Sequence, residues 1–181
     1  LGGDPVDHLG HVRFLPLPQG EAQGENPVIL VGKQAVTLDP GAAFVLPIFT
    51  WVGERYDNGS EDQPLPSTIF TNLTVQITLD GQPLIDSNTD TLDAYYFGPQ
   101  TFAPPIPYAE PQPRDSDGDG APDLFAVAMI WAQGVGFVYP PLSVGEHTVT
   151  LYAVSEDFGF GYDNTWTITV EPSIVETVYL S

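Results

Sequence analysis

The most specific chemistry in the chain lies in Asp115-Ser116-Asp117-Gly118-Asp119-Gly120-Ala121-Pro122-Asp123. Counted from Asp115, carboxylates stand at positions 1, 3, 5 and 9, a glycine at 6, and the carbonyl of Ala121 at 7. This is the spacing with which a calcium loop wraps oxygen ligands around a hard cation, the glycine permitting a sharp reversal. Carboxylates so close repel one another unless a cation lies between them. The loop is therefore expected to bind Ca2+ through Asp115, Asp117, Asp119, the Ala121 carbonyl and Asp123, and to order the chain rather than to catalyse. Position 12 is Ala126, not the bidentate Glu usual there, so any further oxygen comes from elsewhere. The plain alternative is a solvated acidic turn.

Other reactive side chains do not assemble into a catalytic set. His8 and His11 are three residues apart, which on a strand places them on opposite faces and prevents a shared zinc. His147 follows the turn residue Gly145 and is expected at the surface. Glu156, Asp157 and Asp163 flank Phe158-Gly159-Phe160-Gly161-Tyr162, which could serve a sugar-binding or glycoside-cleaving groove, or be no more than an acidic, aromatic hairpin loop. Trp51, Trp131 and Trp166 are expected as core or strand anchors. No Gly-x-Ser-x-Gly elbow, His-Glu-x-x-His pair or phosphate-cradling loop is present, and no enzyme is expected. Asn58 and Asn72 head Asn-x-Ser/Thr acceptor patterns for glycosylation.

The elements that must hold these groups are strands. Among 181 residues there are 18 Gly and 19 Pro, both of which interrupt helices. Segments rich in β-branched and aromatic residues recur between Gly, Pro, Asp and Asn clusters at 11–15, 28–31, 35–38, 43–49, 73–79, 82–85, 92–97, 124–132, 135–139, 146–155 and 164–171. The pattern implies an all-β chain of about ten strands in a single domain, 1–181, built as a jelly-roll or immunoglobulin-like sandwich or barrel. Leu73, Val75, Ile77 and Leu79 alternate with polar residues, which gives that strand one wet face. Asp80-Gly81 then supplies a pair that tolerates positive φ in a two-residue hairpin turn. The nearly all-apolar 124–131 reads as a central strand covered on both faces. Pro104, Pro105, Pro107, Pro111 and Pro113 deny donors to a ladder, so 100–114 is expected as a stiff connection leading into the acidic loop. The polar stretch 54–66 is expected as a second long loop.

Charge and omissions narrow the setting. Only Lys33, Arg13, Arg55 and Arg114 offset 24 acidic residues, leaving a net charge of −20. Such a chain cannot neutralise a phosphate backbone or an anionic leaflet, so nucleic-acid and membrane partners are not expected. Absence of Cys removes disulfides and thiolate metal sites. The start at Leu1 and the lack of an apolar leader imply a mature, secreted, extracellular protein, while a high-salt habitat is the rival explanation of the charge.

Several blocks carry a resemblance. His11-Val12-Arg13-Phe14-Leu15, Ala43-Phe44-Val45-Leu46-Pro47-Ile48, Leu79-Asp80-Gly81-Gln82-Pro83-Leu84, Tyr139-Pro140-Pro141-Leu142-Ser143-Val144-Gly145-Glu146-His147-Thr148-Val149 and Thr165-Trp166-Thr167-Ile168-Thr169-Val170 occur in this order. The chain thereby resembles a group of secreted bacterial β-sandwich proteins of uncharacterised function, some of which look like subunits of environmental, pilus-like fibrils built by donor-strand exchange. The acidic loop is similar in its first half to thrombospondin type 3 and dockerin repeats, though no helix signals flank it. The family resemblance implies a structural glycoprotein subunit whose partner is itself, in a helical homopolymer. Donor-strand assembly needs an extended terminal segment with alternating apolar residues. Residues 1–17 offer Leu9, Val12, Phe14 and Leu15, and are favoured; 173–181 offer Ile174, Val178 and Leu180 as the alternative. Either segment could instead pair inside its own subunit. The competing function is a monomeric, calcium-stabilised carbohydrate-binding or adhesion module with Phe158, Phe160 and Tyr162 in its site.

Overall fold

The computed structural model describes residues 8–9 and 12–172, with only the backbone of His8 and Leu9. His11 and the expected donor residues Ile174, Val178 and Leu180 lie outside the described residues. The strands are β1 (His8–Leu9), β2 (Val12–Phe14), β3 (Glu21–Gln23), β4 (Val28–Leu38), β5 (Ala43–Tyr56), β6 (Thr74–Leu79), β7 (Gln82–Asp86), β8 (Tyr96–Arg114), β9 (Leu124–Tyr139), β10 (Gly145–Ser155) and β11 (Phe160–Val170). One short helix, α1 (Thr68–Thr71), and a 3-10 turn at Leu92–Tyr95 accompany them. The protein is an all-β sandwich, with one sheet in the order β1-β2-β5-β9-β8 and the other β3-β4-β11-β10-β6-β7. No described helix is long and apolar enough to cross a membrane.

The chain divides into two compact units, and it passes between them more than once. The first comprises Leu1–Pro47, Leu73–Thr91 and Phe137–Ser181, the second Ile48–Asn72 and Leu92–Gly136. The six-stranded sheet belongs to the first. Its register stacks alternate apolar residues inward: Val149 opposes Trp166 and Leu79, and Ala153 opposes Val75. Val149, Leu151, Ala153, Trp166 and Ile168 are fully buried. Trp166 donates from Nε1 to the Pro16 carbonyl at 2.8 Å, which satisfies the one polar atom the indole carries inside. The Asp80-Gly81 turn forms as expected, with φ of 50° and 75°.

In the second unit Phe49, Phe70 and Tyr96 pack ring against ring, with centroids 6.3 and 6.0 Å apart along the series. A Cβ on Gly53 would fall inside the Trp131 ring, so only glycine lets the indole lie on β5.

Several expected boundaries are corrected. Segments 28–31 and 35–38 form one strand, as do 124–132 and 135–139, because Gly32 and Gly134 pass at close approaches rather than at turns. The strand expected at 92–97 starts only at Tyr96, after the 3-10 turn. The 100–114 connection is instead part of β8, an edge strand. An edge needs donors on one side alone, and the register slips over Pro99, Pro104, Pro105 and Pro111, which drop out of the pairing. Part of the polar 54–66 loop, through Tyr56, belongs to β5. The 124–131 segment is not covered on both faces, since Phe125 is 40% exposed.

Candidate functional site

The acidic loop closes the β8–β9 hairpin. Asp115, Asp117 and Asp119 bring carboxylate oxygens within 4.8 Å of one another, all on an exposed surface. Asp115 organises the turn: Oδ1 accepts from the Gly118 and Asp119 amides at 2.7 and 3.2 Å, and Oδ2 from the Gly120 amide at 2.8 Å. Gly118 and Gly120 sit at φ of 77° and 89°, where a side chain would be strained. The backbone donors, Gly120 first, hold the Asp115 carboxyl below its ordinary range. Such a cluster could hold a hard cation. The Ala121 amide donates to Asp119 Oδ1 at 2.8 Å. Asp123 is turned to a different task. Its two oxygens accept from the Ser116 amide and hydroxyl at 2.8 and 2.6 Å, which lowers its pKa, and its amide donates to the Arg114 carbonyl at 3.0 Å. Asp123 therefore stitches the neck of the loop beside the exposed carboxylate trio.

Of the N-terminal residues singled out, the described ones have places in their own chain. β2 pairs in parallel with Ala43, Phe44 and Val45 of β5, Leu15 is 2% exposed and donates its amide to the Val45 carbonyl, and Phe14 is 43% exposed. Both acceptor asparagines are exposed. Asn58 Oδ1 caps Ser60 through its amide and hydroxyl, and the Asn72 amide ends α1 on the Thr68 carbonyl. In the aromatic stretch, Phe160 and Tyr162 begin β11 and meet edge to face at 5.0 Å, and burial pushes the Tyr162 hydroxyl up.

Two features were missed by sequence reasoning. His147 is only 13% exposed and clasps the hairpin turn: Nδ1 lies 2.8 Å from Asp80 Oδ2 and Nε2 lies 2.9 Å from the Ser143 carbonyl. Both ring nitrogens thus face acceptors, the arrangement that suits imidazolium. The Asp80 contact foremost, then Ser143, raises its pKa. The second is a polar cluster on β5. Glu54 is 5% exposed, and its carboxylate accepts from Arg114 Nε and Nη2 at 2.7 and 2.5 Å and from the Tyr108 hydroxyl at 2.5 Å. Burial pushes the Glu54 carboxyl up, but the Arg114 and Tyr108 bonds outweigh it and hold it low. Burial and the bond to Asp62 push the Tyr56 hydroxyl up to about 12. Trp51, expected as an anchor, is 40% exposed. The Asp spacing of a loop motif is visible in sequence, whereas Tyr108 and Arg114 stand 54 and 60 residues from Glu54 and only folding unites them with it.

The site and fold define an all-β sandwich carrying an acidic turn and a carboxylate–guanidinium pair in which Glu54 is buried and Arg114 is 41% exposed. Compared with known families, curated proteins and solved structures, the chain matches none.

Proposed function

We propose that the protein is a structural subunit of an extracellular, pilus-like filament, in which a terminal strand of one copy pairs with a sheet edge of the next, and in which Ca2+ orders the acidic loop. The observation that carries this reading is the mismatch between β4 and its neighbour. β3 pairs with β4 only at Ile29, Leu30 and Val31, so 32–38 has an outer edge without a strand among the described residues. Gly32, Val36 and Leu38 are buried there, and Arg13 donates to the Thr37 carbonyl at 2.7 Å. An edge of this length is a template for strand addition.

The donor on this reading is 173–181. β11 has β4 on one side and β10 on the other over its whole length, so a strand that follows it pairs somewhere else. Ile174, Val178 and Leu180 supply the apolar residues, and Glu176 would meet exposed Lys33. The N-terminal Val12, Phe14 and Leu15 are already engaged in cis. Calcium fits the same reading twice, since it would join the Asp115, Asp117 and Asp119 carboxylates and screen the −20 charges that neighbouring copies bring together.

Light scattering of the chain ending at residue 172, beside the full chain with and without chelator, tests the reading. Large assemblies from the full chain and monomers from the shortened one are expected, with chelator weakening assembly. Equal assembly of both, or monomers from both, would overturn it.

A further inference from the structure

In the second unit, a groove of about 510 Å3 opens along β5, lined by Trp51, Glu54, Tyr56, Asp62, Gln63 and Arg114 among others, and strand addition at β4 makes no use of it. We propose that this groove binds a neutral, pyranose-based oligosaccharide, with Trp51 as the stacking platform and Asp62, Gln63 and Arg114 as the hydrogen-bonding wall.

Trp51 is the first ground. Trp131 and Trp166 are 5% and 0% exposed, whereas Trp51 presents 40% of its surface beside polar side chains. An aromatic face next to hydrogen-bonding groups complements a sugar ring, which is apolar on its C–H face and polar around its rim.

The wall is fixed before any ligand arrives. Asp62 accepts from the Tyr56 hydroxyl at 2.8 Å through Oδ1 and from the Glu54 amide at 2.9 Å through Oδ2, and its carbonyl accepts from Trp131 Nε1 at 3.2 Å. Arg114 is held by two bonds to Glu54. Each Asp62 oxygen keeps a further lone pair, and exposed Gln63 offers both donor and acceptor, the combination that adjacent hydroxyls need. Groups oriented in advance lose little entropy on binding.

Charge and shape select the ligand. Glu54 cancels Arg114, Asp62 leaves the wall negative, and the chain as a whole carries −20, so polyanions are repelled. The volume falls within the range of about 300–1,000 Å3 typical of small-ligand sites. The cavity is open to solvent rather than enclosed, and five of its lining residues, from Thr50 to Tyr56, come from β5. A second groove of about 470 Å3 shares Asp62 and Gln63 with the first, so a ligand several rings long has a continuous path over that ridge.

Calorimetric titration of the full chain with cellohexaose, xylohexaose, mannohexaose and chitohexaose, beside a heparin oligosaccharide and a neutral extended peptide, tests the assignment. At least one neutral saccharide binds, and Trp51→Ala weakens it by about tenfold or more while Trp51→Phe restores most of the loss. Gln63→Ala, on an exposed side chain that cannot impair folding much, also weakens binding. Phe160→Ala, in the aromatic hairpin of the first unit, leaves it unchanged. Failure of every neutral saccharide, affinity indifferent to both Trp51→Ala and Gln63→Ala, or preference for heparin or the peptide would overturn the proposal. The readout does not depend on assembly, so its failure is separate from failure of the filament reading.

Discussion

The interior of the first unit is largely apolar and periodic: Val149, Leu151, Ala153, Trp166 and Ile168 face inward from paired strands at every second position, with the uncharged Ser155 and Asn164 buried among them. The second unit buries a charge as well: Glu54, a carboxylate, is 5% exposed, beside Gln133, fully buried with Nε2 donating to the Leu65 carbonyl at 3.0 Å. A buried ion pair contributes little net stability compared with apolar side chains of the same size. The comparison therefore separates a unit whose described interior holds only uncharged side chains from one in which a buried carboxylate holds Arg114 in place beside Trp51 and Asp62.

The contrast can be broken from both sides. Trp166→Ala has the largest expected effect, about 3–5 kcal/mol in a denaturant titration, because it empties a fully buried site and leaves the Pro16 carbonyl unpaired. Arg114→Ala is expected to cost about 2–3 kcal/mol by stranding the Glu54 carboxylate, and the double variant Glu54→Leu with Arg114→Met to be less destabilised than Arg114→Ala alone. Equal losses from both would show that the pair is held for stability after all. Gly81→Ala, at φ 75° in the hairpin turn, should cost about 1 kcal/mol. Arg55→Ala, which breaks an ion pair with Glu61 between side chains 45% and 41% exposed, should cost under about 1 kcal/mol.

Titration sharpens the same contrast, since the first unit's polar clasp uses His147. Its folded pKa is raised, so the clasp's contribution is complete below the unfolded value of about 6.5 and is lost as pH climbs through the higher folded value. Asp80 has the opposite sign: its pKa is lowered, chiefly by His147, and its contribution is lost as pH falls through the folded value. Melting temperature followed from pH 6 to 9 should therefore decline, and His147→Gln should flatten that decline.

Much of the first unit was legible because its signals are local. Strict alternation over 73–79 followed by Asp80-Gly81 fixes strand, face and turn from adjacent residues alone, and the acidic trio, though it lies in the second unit, is legible by the same short spacing. The second unit was not, for a physical reason. Prolines read as a connection from 100 to 114 because sequence does not reveal that β8 lies at an edge, where register slips can absorb them. Trp51 read as an anchor because a tryptophan's type does not reveal which face of its strand it occupies. In the first unit, too, a long separation hid one feature: His147 read as a surface residue because its partner Asp80 is 67 positions away.

Cryo-electron microscopy of the full chain assembled with Ca2+ tests the central claim most directly. The account predicts a helical filament in which 173–181 of one copy runs beside 32–38 of its neighbour, with density for an ion among Asp115, Asp117 and Asp119. Dispersed monomers under those conditions, or filaments whose contacts leave the outer edge of β4 open, would contradict it.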